Sequence, residues 1–227
     1  MKKSYLLITF LIVFKVCGNA QKIETGFSYN SNVTGELSYY PNPSKLETKS
    51  PGTEYRFGYG FSLIGKFQMN KHFSFQTGIN YIYSGTKSKI YDNAYLPNEF
   101  VKSQYFTNNK DICLPLLLNY RCSSTKNHSF YAVFGASLAY NFERKLQSRN
   151  LRPDNTFVDN FYDPRDDNYR KWNINPSFGI GYDYIFKNKI KFFVQPNLEF
   201  NLLKTNGTAY PNKSIYNLGI NVGFLLL

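Results

Sequence analysis

Glu36, Arg56, Lys66, Arg121, Glu143, Asp183, Lys191 and Glu199 all fall on the same side of an alternating pattern that runs through the chain. Carboxylates and cations brought together from distant segments could line a polar path or a pocket for an ionic ligand. They could also neutralise one another in a packed interior, since an unpaired buried charge is costly. A narrow interior favours that structural reading. A second group is Asp154, Asp159, Asp163, Asp166 and Asp167 with Arg149, Arg152, Arg165 and Arg170. Calcium could use such carboxylates, taking roughly six to eight oxygens. The spacing matches no calcium loop and the arginines already offer partners, so a solvated loop is expected.

Enzyme signatures are lacking. The chain has no G-x-S-x-G elbow and no H-E-x-x-H helix, and His72 and His128 each adjoin a short turn. Cys113 and Cys122 lie nine residues apart on one predicted strand. At strand rise that is about 30 Å, well beyond the ~7 Å between Cα atoms that a disulfide tolerates. No catalytic residue, cofactor or metal site is therefore expected. Gly58, Gly60, Gly179 and Gly181 alternate along strands and cannot cradle a phosphate, so relief of crowding is their expected role.

Positioning these residues falls to eight alternating stretches. In the last, Tyr216, Leu218, Ile220, Val222, Phe224 and Leu226 interleave with Asn217, Gly219, Asn221 and Gly223. A strand sends successive side chains to opposite faces, so one face is oily and the other small and polar. The other stretches are Ile23–Tyr39, Tyr55–Gln68, His72–Thr86, Lys110–Cys122, Ser129–Lys145, Arg170–Phe186 and Ile190–Leu203. Such a set predicts an all-β fold, an eight-stranded antiparallel up-and-down transmembrane β-barrel. Phe73, Leu116, Phe134, Ile180, Val194 and Ile220 belong to its expected lipid-facing band.

The connections agree. Short ones (Asn70-Lys71, Ser123–His128, Lys187–Lys189) alternate with long polar ones (Pro41–Glu54, Lys87–Asn109, Leu146–Tyr169, Lys204–Lys213). Outer-membrane barrels have short periplasmic turns and longer outer loops. Pro115, Pro176 and Pro196 interrupt predicted strands, each removing a ladder hydrogen bond. Bulges or local bends near them are the expected accommodation.

Composition supports the same address. Aromatic residues make up 19% of the 227, with 20 Tyr and 21 Phe against one Trp, which suits the aromatic girdles of a membrane barrel. Residues 1–20 read as a removed signal peptide, with Lys2 and Lys3, an apolar run from Tyr5 to Phe14, and a small-x-small end at Gly18-Asn19-Ala20. Phe14-Lys15-Val16 is a poor lead-in for acylation of Cys17. Residues 21–227 then form the barrel domain. The net charge of +12 is scattered over loops and alternate positions, which points to anionic headgroups or surface polysaccharide and not to nucleic acid.

Three features resemble the outer-membrane-protein beta-barrel domain family, often labelled PorT-like. Ile112-Cys113-Leu114-Pro115-Leu116-Leu117-Leu118 is similar to a hydrophobic strand of that family, and Ala20-Gln21 to its usual cleavage point. Asn217-Leu218-Gly219-Ile220-Asn221-Val222-Gly223-Phe224 resembles the terminal signal read by the barrel-assembly machinery, with Leu225-Leu226-Leu227 following it. The resemblance implies a bacterial outer-membrane location and carries no shared catalytic residues.

The function expected is a small non-enzymatic barrel with a structural or surface-interaction role, or a subunit of a secretion or transport assembly. Its expected partners are membrane lipid and lipopolysaccharide, the barrel-assembly machinery during insertion, and a protein engaged through the outer loops. The alternative is a soluble periplasmic barrel holding a small apolar ligand, as lipocalins do. That barrel would turn its oily face inward.

Overall fold

A computed structural model describes residues 22–39, 53–92, 100–162, 171–187, 189–202 and 212–227. The expected leader lies outside them, as do Asp163, Arg165, Asp166, Asp167 and Arg170. Eleven strands follow in order: β1 (Lys22–Tyr39), β2 (Thr53–Glu54), β3 (Arg56–Gln68), β4 (Phe73–Ser88), β5 (Tyr91–Asp92), β6 (Lys102–Ser124), β7 (His128–Leu151), β8 (Phe157–Tyr162), β9 (Trp172–Phe186), β10 (Ile190–Phe200) and β11 (Asn212–Leu226). Eight long strands pair antiparallel with their sequence neighbours, and β11 returns to β1 to close the ring. Closure leaves no open sheet edge in the hydrocarbon, where unpaired backbone groups are costly. No helix among the described residues is long and apolar enough to cross a membrane.

Alternation becomes a sorting of faces. Phe61, Leu63, Phe134, Phe178, Ile180, Val194 and Ile220 are exposed on the outside, while Ser28, Asn30, Ser62, Ser177, Gln195 and Asn197 are buried inside. The lumen also holds two small apolar clusters: Ile64 with Phe193 and Leu225, and Leu117 with Tyr131 and Val133. Leu117, which breaks the polar pattern of its strand, is thus an interior packing residue.

The prolines are accommodated without bulges. Pairing of β10 with β9 skips Gln195 and Pro196 and resumes in the same register, while Pro196 stays opposite Ile220 of β11. Pairing of β4 with β6 likewise lapses across Leu114 and Pro115 and resumes in register. Pro176 sits just past Ser177, where the β9–β10 ladder ends. A strand residue aims its N–H at one neighbour only, so a proline costs one bond in one ladder and leaves register intact.

Two strands overrun their expected ends. β6 and β7 contain 23 and 24 residues, against the roughly 9–11 that cross a bilayer. Their ladder runs from Ser124–Ser129 to Lys102–Leu151, so the stretches expected as loops at 102–109 and 146–151 form a standing hairpin. Its flanks are extended by β8 on β7 and β5 on β6. Outside the membrane the outer face no longer meets lipid, and the inner face, with Ser103, Gln104, Ser148 and Asn150 buried, is polar too. The apolar–polar alternation that announces a strand therefore fades while the backbone pairing continues.

Candidate functional site

The barrel's interior gathers ionic side chains at the short-turn end. Glu24 opens β1, Lys66 lies near the end of β3, Asp183 near the end of β9, and Lys191 near the start of β10. Each is 4% exposed or less. Lys191 Nζ donates to both carboxylate oxygens of Glu24, at 2.7 and 2.6 Å, and lies 3.8 Å from Asp183 Oδ2. Lys66 Nζ is 3.6 Å from the same Asp183 oxygen and 4.1 Å from the centroid of the Tyr131 ring. Two cations and two carboxylates therefore balance, and the ring face adds a cation–π contact. A side chain at position 181 would collide with Tyr131, which explains glycine there.

Above this layer lies a directional chain of amides. Asn32 Nδ2 donates to Asn30 Oδ1 (3.0 Å), and Asn30 Nδ2 to Asn221 Oδ1 (2.7 Å). Asn221 Nδ2 donates to Asn197 Oδ1 (3.5 Å), and Asn197 Nδ2 to Glu199 Oε1 (3.3 Å). Amides suit a lumen because each both donates and accepts. Cavities among the described residues include one of about 30 Å³ beside Gln195 and Glu199 and one of about 20 Å³ beside Asp111 and Asn141. Each admits roughly one or two waters. Asn175 Oδ1 and Gln195 Oε1 line such spaces with no hydrogen-bond partner among the described residues.

The eight charged residues on the predicted inner side thus separate. Lys66, Asp183 and Lys191 meet, together with Glu24, which lies on the same polar face of β1 as Ser28 and Asn30. Glu199 stands apart, deeper in the lumen; among the described residues no cation forms an ion pair with it. Arg121 is at the short-turn rim, donating to Lys71 O (3.3 Å) and Gln68 Oε1 (3.1 Å). Arg56 is near the outer end, donating to Thr107 O at 3.3 Å. Glu36 is half-buried, opposite Ile215 of β11. Glu143 lies on the other face. Lys110 pairs with Glu143 but Asp111 pairs with Asn141, leaving Phe142 as an extra residue. This bulge inverts the alternation, so Ser148 and Asn150 become the buried positions while Glu143 meets Lys110 (2.7 Å) and Lys145 (3.0 Å). Tyr131, central to the charge layer, was missed; its only signal was one aromatic at an inner position of β7.

At the far end of β7, Arg149 clasps Asp159 of β8 through Nε (2.9 Å) and Nη2 (3.1 Å). The guanidinium holds the Asp159 carboxyl below its usual range and is itself held further toward its charged form. Asp154 accepts from the backbone N–H (2.9 Å) and hydroxyl (2.6 Å) of Thr156, which likewise lowers its carboxyl. Both carboxylates therefore have partners within the chain. Among the described residues no three His, Cys, Asp or Glu side chains gather to hold a metal. His128 Nδ1 lies 2.6 Å from Tyr182 Oη, and the His72 ring stacks on Tyr120 at 6.2 Å, both at the short-turn end. Cys113 is buried and Cys122 exposed, and both are free thiols.

The sequence profile described as "Outer membrane protein beta-barrel domain" matches residues 14–206. The chain belongs to this family. It is accordingly a protein of the bacterial outer membrane, with oily strand faces toward lipid. The soluble alternative would need those faces turned inward. No curated protein matches the sequence. Among solved structures, the chain is similar to Ail, the attachment invasion locus protein of Yersinia pestis, at 11% identity, covering 90% of this chain and 99% of that one with a TM-score of 0.37. The outer membrane protease OmpT of Escherichia coli aligns at 9% identity, over 91% and 97% of the two chains, with a TM-score of 0.48. OprG of Pseudomonas aeruginosa aligns at 10% identity, over 90% and 93%, with a TM-score of 0.39.

Proposed function

We propose that this barrel is a non-enzymatic outer-membrane protein whose lumen is a structural core and whose standing outer hairpin carries its interactions. The observation that supports this is the contrast between the two. The lumen holds the Glu24–Lys191–Asp183–Lys66 layer and a chain of amides, and its cavities beside Glu199 and Asp111 are of water size. The hairpin and β8 instead offer Phe157 (67% exposed), Phe161 (73%) and Tyr105 (46%) beside the Arg149–Asp159 clasp. Aromatic anchors within a polar rim suit a protein or glycolipid partner. Lipopolysaccharide fits the outer basic residues, and a subunit role in a secretion or transport assembly is a specialisation of the same reading. In this reading β11 is the strand presented to the assembly machinery during insertion.

The test joins two measurements on the full chain. Photo-crosslinking residues placed at Phe157 and Phe161 in intact cells should yield adducts, while the same residue at Ser124 should not share them. In planar bilayers the reconstituted barrel should pass no steady ionic current. Steady conduction, or adducts that do not depend on the outer positions, would overturn the proposal.

A further inference from the structure

The two ends of the barrel carry charge differently. At the outer end several cations are matched, Lys87 with Glu54 (2.9 Å), Lys110 and Lys145 with Glu143, and Arg149 with Asp159, while Lys89, Lys102 and Lys171 form no ion pair among the described residues. The short-turn end has no such matching. Its turns read Met69-Asn70-Lys71-His72, Arg121 through Lys126 to His128, and Lys187-Asn188-Lys189, with no Asp or Glu in any of them. Lys22 joins this rim at the start of β1. Lys22, Lys71, Lys126, Lys187 and Lys189 are exposed, and among the described residues none has a carboxylate within ion-pair distance. The nearest acidic side chain in sequence, Glu24, is turned into the lumen and held by Lys191.

A second observation sets the depth of these cations. Lys187 Nζ sits 5.2 Å from the centroid of the Phe186 ring, and His72 stacks on Tyr120. The His128 ring lies 5.1 Å from that of Tyr184. Tyr120, Tyr184 and Phe186 are exposed on the lipid side. Aromatic residues of this kind sit at headgroup level, so the lysines just beyond them lie among lipid phosphates. We infer that the short-turn rim is a binding collar for anionic phospholipid headgroups of the periplasmic leaflet. Zwitterionic lipid satisfies the phosphate contact but leaves the collar's positive charge uncompensated. An anionic headgroup satisfies both. The inference rests on the membrane-barrel reading and not on what the outer hairpin binds.

The test uses the full chain refolded into phosphatidylcholine vesicles containing spin-labelled phosphatidylglycerol or spin-labelled phosphatidylcholine, with the immobilised fraction of each read by electron paramagnetic resonance. The native barrel should immobilise the phosphatidylglycerol label preferentially, and less so as salt screens the collar. One lysine near an anionic surface is worth about fivefold in local occupancy. K71Q/K126Q/K187Q/K189Q should lose at least that about fivefold preference. K89Q/K102Q/K145Q/K171Q, which removes the same charge from the outer end, should keep it. A preference retained by the rim variant would overturn the collar and leave an acidic periplasmic protein as the partner of these turns. Equal losses in both variants would also overturn it, by reducing the effect to net charge. Heat-shifted gel mobility of each sample separates these results from failure of the barrel itself: an unshifted native protein refutes the membrane reading.

Discussion

Lys191 donates to both carboxylate oxygens of Glu24, at 2.7 and 2.6 Å, across 167 positions of sequence. The pair joins strands that are not neighbours, since β11 lies between β10 and β1. It therefore forms only when the ring closes, and it braces the lumen at the end where the short turns lie.

Lys191→Met leaves Glu24 buried without its cation. Breaking a buried pair from one side costs about 3–5 kcal/mol, and that loss should appear as a lower urea midpoint for refolding into vesicles. E24Q/K191M should recover much of it, with the recovery read from a double-mutant cycle. Additive losses would mean that the two side chains do not interact in the folded barrel.

Ile220 faces lipid from β11, and Asn221 faces the lumen as the third member of the amide chain. I220R should destabilise the inserted barrel by about 2–4 kcal/mol. Normal insertion and an unchanged midpoint would show that the register of β11 is wrong.

The amide chain ends when Asn197 donates to Glu199. N197D replaces that donor with a second carboxylate in a buried site and should cost roughly 1–3 kcal/mol through the unsatisfied group. N197Q, which keeps an amide, should cost less by the same denaturant titration.

Gly181 leaves the space that the Tyr131 ring occupies over Lys66. G181V should overpack the charge layer and destabilise the barrel by about 1–3 kcal/mol. G181V/Y131A should regain part of this loss, because the colliding ring is gone. Equal stability of the native and G181V proteins would remove Tyr131 from the lumen.

Asp159 is held below its usual carboxyl range by Arg149. A carboxyl depressed in the folded state contributes stability that is fully present above its unfolded value, near ~3.9. That contribution is lost as pH falls through the folded value. Protection of the β8 amides against exchange, corrected for the intrinsic pH dependence of the exchange rate, should therefore hold steady down to about pH 5 and fall below about pH 4. In R149Q the acid-dependent step should shrink. An identical step in both proteins would exclude the clasp as its cause.

Period-two alternation alone determined the eight spanning strands, the side of most residues within them, and which connections are short. The bilayer imposes that pattern locally: an outward position meets lipid and its neighbour meets the crowded lumen, so each residue type reports its own environment. Tertiary structure decided the rest. The standing hairpin of β6 and β7 runs past the membrane, where the outer face meets water in place of lipid, both faces carry polar residues, and pairing with another strand keeps the chain extended. The extra residue at Phe142 turned Glu143 outward, an inversion that residue type does not record because polar side chains suit either face beyond the lipid. The prolines lost single bonds without shifting register, which depends on the neighbour each N–H faces. The union of Glu24, Lys66, Asp183 and Lys191 required closure of the ring, since stagger between strands sets which inner positions share a level. Sequence spacing carries no measure of that stagger.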